Sequence, residues 1–358
     1  MREIVIVITD LYLDPDPAGR PAARAAQEMA PRDPEASAGS DATPAIDHLA
    51  RFADRARVAA GWRAWTAHWL GLSQYARETP ASVAAAELAH APPGAVWLAT
   101  PVHLLAGLTS LHFDRRSVLR LAPAELEELA ATFRDTFRGS GFNLHPLPDG
   151  ELVLSGPSAA TPPITTEPAR MLLASVAESL PTGQGAASLR RLSAEIEMWL
   201  HGHPLNDARA RRGAPPVATL WVWGGGAPAL SRSAPAREIT DAAFGSDAYV
   251  RGLWRLAGGE CRPMPVDWEA VIGDRRAQRA LAAVEVAELL HAHASWTLAD
   301  AAAQIDRRLI SPSLAALRRG ALERLVLLAN DRSLTLRAGH RWRLWRRAGP
   351  RQGLEGLA

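Results

Sequence analysis

The first strong pattern along the chain is an unbroken apolar run, Ile4-Val5-Ile6-Val7-Ile8, closed by Thr9-Asp10. A strand buried on both faces reads this way, because neither side needs a polar residue. Polar groups at its carboxyl end mark the edge where open α/β sheets bind ligands. The same reasoning predicts buried strands over 94–99 and 217–223, the second stopped by Gly224-Gly225-Gly226. Helical spacing starts at Thr43-Pro44 and runs through Ile46, Leu49, Ala50 and Ala53, with proline suited to the first turn. A second helix carries Trp62, Trp65, Trp69 and Leu72. Further helices are predicted over 123–137, 168–180, 187–201, 247–258, 276–293, 297–307 and 312–329. Hairpins are predicted around Pro148-Asp149-Gly150 and, at the end of the chain over 333–346, around Ala338-Gly339. From 13 to 41, Pro, Ala, Gly, Asp and Ser predominate, which predicts a long mobile loop.

A chain of 358 residues fits two domains, or one core with a large insertion. Its apolar fraction of 47% excludes a disordered protein. Lysine is absent, so arginine supplies all 40 basic side chains, and the formal net charge is only +2. Those arginines are scattered among acids along the predicted helices, unlike the basic stripe of a nucleic-acid binder. Only Arg341-Trp342-Arg343-Leu344-Trp345-Arg346-Arg347 fits a basic-aromatic description, and its alternation reads as a terminal strand. Cys261 is the sole cysteine, which suits a reducing compartment. No run of about 18 apolar residues predicts a membrane span, and the opening residues lack a signal-peptide pattern. The expected location is cytoplasmic.

The densest polar cluster is His201-Gly202-His203-Pro204-Leu205-Asn206-Asp207-Ala208-Arg209, followed by Gly213-Ala214-Pro215-Pro216. On a helix opening at Pro204, His203, Asn206 and Arg209 would stand near the positively polarised amino end, a corner suited to an anionic ligand. The competing reading is a hydrogen-bonded structural corner between two domains.

This His-Pro-x-Asn-x-x-Arg stretch, followed by Gly-x-x-Pro-Pro and an apolar strand ending in glycines, resembles the archaeal-type cofactor-independent phosphoglycerate mutases. The strand ending at Asp10 and Thr43-Pro44-Ala45-Ile46-Asp47-His48-Leu49-Ala50, which fits a Thr-Pro-x-x-Asp-x-Leu-Ala pattern, are similar to that family in the same order. The resemblance covers residues 1–270 and fades in the final quarter. It implies an α/β fold with an alkaline-phosphatase-like, mostly parallel sheet flanked by helices and an inserted α/β domain. The expected division is 1–75 core, 76–270 insertion and 271–358 core. The strand over 220–226 is also similar to bacterial Rpf-type regulatory proteins, a relation that implies regulation.

The resemblance further implies phosphoryl transfer through a phosphoserine between two metal ions, usually manganese, which needs about six Asp and His ligands. It places Asp10 as a metal-binding carboxylate, with Asp14 or Asp16 beside it; the alternative is a strand-end cap and two solvated loop acids. The chain departs from this pattern at several points. Where the nucleophilic serine belongs stands Gly61-Trp62-Arg63-Ala64-Trp65. Gly245-Ser246-Asp247 lies far downstream and reads as a helix cap; Ser73, a few turns after the Thr-Pro helix, could substitute as nucleophile, although a lone serine without a neighbouring base or metal is a weak one. After Gly226 there is neither an Asp-x-x-x-His element nor an Asp-His pair. His291 and His293, two apart, diverge on a helix. The glycine run lacks a P-loop lysine and reads as a backbone turn. The expectation is a degenerate phosphoglycerate mutase-like protein without two-metal transfer or cofactor. Its partner would be a phosphorylated small molecule or a protein, and its role regulatory. The alternative is an active manganese-dependent 2,3-bisphosphoglycerate-independent phosphoglycerate mutase interconverting 2- and 3-phosphoglycerate. A DNA-binding regulator lacks any helix-turn-helix signature.

Overall fold

The structure, a computed structural model, describes residues 1–12, 43–106, 111–148, 150–158, 162–171, 176–229, 241–274 and 276–339. The loop expected over 13–41, with Asp14 and Asp16, and the Arg-Trp tail lie outside the described residues. In chain order the first half contains β1 (Glu3–Ile8), α1 (Pro44–Phe52), β2 (Asp54–Arg57), α2 (Gly61–Leu70), α3 (Pro80–Ala84), β3 (Ala95–Val102), β4 (Leu105–Ala106), β5 (Leu111–His112), α4 (Pro123–Thr136), β6 (Asn143–Pro146) and β7 (Leu152–Gly156). Then come α5 (Ala186–His201), α6 (Pro204–Arg211), β8 (Thr219–Gly226), β9 (Ala242–Phe244), α7 (Ala248–Leu256), β10 (Cys261–Arg262), α8 (Trp268–Gly273), β11 (Arg279–Val284), α9 (Val286–Ala292), α10 (Leu298–Ile305), α11 (Ser311–Arg318), β12 (Arg324–Ala329) and β13 (Arg332–Arg337). A single π-helical turn, Asp306–Ile310, joins α10 to α11.

The chain divides into two compact units. One comprises Met1–Thr66, Arg237–Asp247 and Gly259–Ala358; the other comprises Ala67–Ala236 and Ala248–Gly258. β9 belongs to the first unit because it pairs in parallel with β11 of that unit's sheet.

The first unit is an α/β layer structure on a seven-stranded sheet of order β10-β9-β11-β1-β12-β13-β2. β1 is central, parallel to β11 through Ile6↔Ala282 and to β12 through Ile6↔Leu327. Only β13 runs against the others, antiparallel to both of its neighbours, β12 and β2. All six residues of β1 are buried, which is why its sequence shows no polar alternation. Ile4, Ile6 and Ile8 pack with Ile46 and Leu49 of α1, Ile305 of α10 and Leu314 of α11.

Two elements differ from expectation here. The segment 276–293, read as one helix, is strand β11 followed by α9, and 312–329 is α11, from its second residue, followed by β12. Arg-Ala-Leu-Ala-Ala-Val and Arg-Leu-Val-Leu-Leu-Ala are short apolar runs that periodicity cannot divide between helix and buried strand. β12 and β13 form a hairpin at Asn330-Asp331, both with positive φ (53° and 55°), the conformation of a tight two-residue hairpin turn; the second arm of the hairpin expected over 333–346 lies outside the described residues.

The second unit is built on a four-stranded antiparallel sheet, β6-β7-β3-β8. Alternate residues of β3 serve opposite faces. Ala95, Trp97 and Ala99 join Leu129 and Phe133 of α4 and Leu192 and Ile196 of α5. Val96 and Leu98 join Ala81 and Ala84 of α3 and Trp221 and Trp223 of β8. With helices on both sides, β3 reads as apolar throughout although its sheet is antiparallel. Of the helix expected over 168–180, the described parts are two short 3₁₀ turns, Pro168–Arg170 and Val176–Ser179.

Candidate functional site

At the carboxyl edge of the first unit's sheet, Asp10 lies two residues past the end of β1. One oxygen of its carboxylate accepts the Val286 N–H at 2.7 Å and the other the Ala287 N–H at 2.8 Å. These are the opening residues of α9, whose own N-cap residue, Glu285, makes no side-chain capping bond. Asp10 thus satisfies two of the orphan donors at the start of that helix from 276 residues away. On the same edge, Gly245 holds φ at +132°, and a Cβ there would collide with the Ala283 carbonyl. The next residue, Ser246, donates its hydroxyl to Glu288 at 2.8 Å in an exposed pair.

Helix α1, which carries the Thr-Pro motif, is capped in the same manner. Thr43 makes no side-chain capping bond. Asp306, fully buried in the π turn, accepts the Ile46 N–H at 2.7 Å, the Ala45 N–H at 3.4 Å and the Ser311 hydroxyl at 3.1 Å. Burial pushes the Asp306 carboxyl above its usual range despite those donors. Nothing near Asp306 in sequence announces this role, because the helix donors it meets, Ala45 and Ile46, lie about 260 residues away.

His203, Asn206 and Arg209 are brought together in the second unit, at the start of α6. His203 is 4% exposed. Its Nδ1 accepts the Leu205 N–H at 3.1 Å, so the proton resides on Nε2 and points to the Thr132 hydroxyl, 2.9 Å away. Thr132 in turn donates to the Glu128 carbonyl at 2.8 Å. Burial holds the His203 pKa below the ordinary imidazole value, with Glu128 opposing. The Asn206 amide nitrogen donates to the carbonyls of Leu200 at 2.8 Å and Val217 at 2.9 Å, while its oxygen accepts the Val217 N–H at 2.8 Å. Arg209 donates through Nε to the Pro215 carbonyl at 2.8 Å and through Nη1 to both oxygens of Glu125, at 3.0 and 3.2 Å.

Glu125 is a residue that sequence reasoning missed. It takes a further bond from Arg212 at 2.6 Å and reaches back to the Ala122 N–H at 2.8 Å. The available signal was its place three residues beyond Ala122, where a glutamate can cap the helix that opens at Pro123. Burial alone would raise its pKa, but the Ala122 N–H and the two guanidinium groups hold it below the usual carboxylate range. This corner ties α4, α5, α6 and β8 within one unit.

The glycine run is a packing device. A side chain on Gly225 would strike the indole nitrogen of Trp97, and one on Gly226 would stand 2.5 Å from the hydroxyls of Ser82 and Thr79 at the start of α3. Where the resemblance places a serine nucleophile, Trp62 is buried at 4% exposure. Ser73 lies 2.9 Å from Nδ1 of His68 in an exposed pair.

The described residues do not fit the manganese pair that the resemblance implies. Among the described residues no three His, Cys, Asp or Glu side chains converge to hold a metal ion, and both oxygens of Asp10 serve a helix terminus.

No protein-family model matches the chain. A stretch of 85 residues is 33% identical to a Geobacter sulfurreducens protein described as "Probable 2,3-bisphosphoglycerate-independent phosphoglycerate mutase". The match covers 24% of this chain and 21% of that relative. Among solved structures, the cofactor-independent phosphoglycerate mutase from Thermoplasma acidophilum aligns over 95% of this chain and 90% of its own, at 16% identity and a TM-score of 0.38. A Pyrococcus horikoshii protein aligns over 99% of this chain and 92% of its own, at 14% identity and a TM-score of 0.47. No helix among the described residues is long and apolar enough to cross a membrane.

Proposed function

We propose that the chain is a phosphoglycerate mutase-like protein that acts by binding, without two-metal phosphoryl transfer, and that its partner is a phosphorylated small molecule or a protein. The relation is supported by the ordered motifs at Asp10, Thr43-Pro44 and His203-Pro204 and by the local identity to the Geobacter relative. The observation that carries the loss of chemistry is the buried indole of Trp62, standing where that resemblance asks for a nucleophilic hydroxyl. An indole has no oxygen to receive a phosphoryl group.

The test is an assay of 2- and 3-phosphoglycerate interconversion on the purified full chain supplied with manganese, alongside calorimetric titration with 3-phosphoglycerate. The expected result is no turnover above the protein-free rate. Manganese-dependent turnover would establish an active isomerase in place of the binding protein.

A further inference from the structure

We propose that Asp10 is a structural clamp for helix α9, and that the folding of its unit is indifferent to divalent cations; the choice of metal rests on the reading above. The carboxylate meets two successive N–H groups, at 2.7 and 2.8 Å, one on each oxygen. Those N–H groups carry the positive partial charge of a helix start. They favour an anion and oppose a cation at the same oxygens. The arrangement recurs within the unit: α1 and α9 both have N-cap residues that make no side-chain capping bond, Thr43 and Glu285. In both, a distant aspartate supplies the cap, Asp306 for α1 and Asp10 for α9. The polar residue at the end of the central strand thereby fixes the first turn of the helix that follows the adjacent parallel strand, β11. A metal-binding sequence position and a clamp look alike in the sequence, since both put a carboxylate at a strand's carboxyl end. The direction of the α9 donors separates them.

The experiment is scanning calorimetry of the full chain, in manganese chloride and in EDTA, for the wild type, Asp10→Asn and Asp10→Ala. The wild-type Tm is expected to be the same in both solutions. Asp10→Ala is expected to lower the folding equilibrium constant about tenfold, as loss of a charged helix cap does. Asp10→Asn, which keeps one accepting oxygen, should fall between them. If the alanine variant does not fold, the asparagine variant carries the comparison. A manganese-dependent rise in wild-type Tm overturns the inference, whether or not it survives Asp10→Asn, and so does an asparagine variant as stable as the wild type. Mutase turnover without such a rise would defeat the proposed function and leave the clamp standing.

Discussion

Asn206 joins the end of α5 to the approach to β8 through three bonds to main-chain groups. Asn206→Ala would strip partners from the Leu200 carbonyl and from both main-chain groups of Val217. A loss of about 3 kcal/mol is expected, since buried polar groups left without partners cost about 1–3 kcal/mol each; urea denaturation measures it. At the neighbouring ion pair, Glu125→Gln would leave the Arg209 guanidinium buried opposite a neutral amide, at a cost of about 3 kcal/mol. Because the folded-state pKa of Glu125 is depressed, its contribution is present above the unfolded carboxylate pKa and is lost as pH falls through the folded value. His48 titrates in a higher window. Burial first, then the charges of Arg318 and Arg51, lower its pKa to about 4 from 6.5, so the unfolded chain binds the proton more readily. Stability from His48 should be present above about 6.5 and decline as pH falls toward about 4. Asp306, with its raised pKa, acts in the opposite sense, losing stability as pH rises through its own range. Denaturation of wild type and His48→Gln from pH 4 to 7 isolates the histidine: the wild-type curve should fall toward acid relative to that of the variant.

At the scale of elements, legibility followed side-chain shape and the distance to a partner. β1 was readable because five consecutive β-branched residues disfavour a helix and suit a strand covered on both faces. β11 and β12 were not, because alanine and leucine serve helices equally well. The local signal that separates β12 from β13 is Asn330-Asp331, a pair suited to the positive φ of a two-residue turn. The corner at α6 was visible as a cluster of polar residues, but its partners Glu125 and Thr132 lie on α4, more than 70 residues away. The place of Asp10 at a strand end was legible, whereas the helix donors it meets emerged only with the fold. The glycines after Trp223 read as a turn and proved to be the last residues of β8, with Trp97 seated against Gly225. Gly225→Ala must displace that indole, and overpacking of this kind costs about 1–3 kcal/mol. Denaturation midpoints should show that loss, while Gly273→Ala, where a Cβ meets nothing within 4 Å, should leave stability within about 0.5 kcal/mol of wild type.

For the whole molecule, the use of arginine decides between a nucleic-acid binder and a protein that employs arginine internally. With 40 basic against 38 acidic side chains, the long-range field is weak. Many of the guanidinium groups are committed to acids of the chain itself. Arg209 meets Glu125, Arg251 meets Glu87 at 2.7 Å, Arg279 meets Asp241, Arg324 meets Glu3 at 2.6 Å and Arg120 meets Glu151 at 3.2 Å. In four of these five pairs the arginine side chain is at most 26% exposed; Arg324, at 40%, is the exception. A guanidinium already neutralised by a carboxylate gains little by meeting a phosphate, because counterion release requires an uncompensated cation. Fluorescence anisotropy of a labelled duplex should therefore show no saturable binding at micromolar protein in 150 mM salt. Any signal at 50 mM should disappear by 200 mM, as nonspecific attraction does. Saturable binding that persists at 200 mM would restore the DNA-binding reading and direct attention to the arginine-tryptophan segment at 341–347.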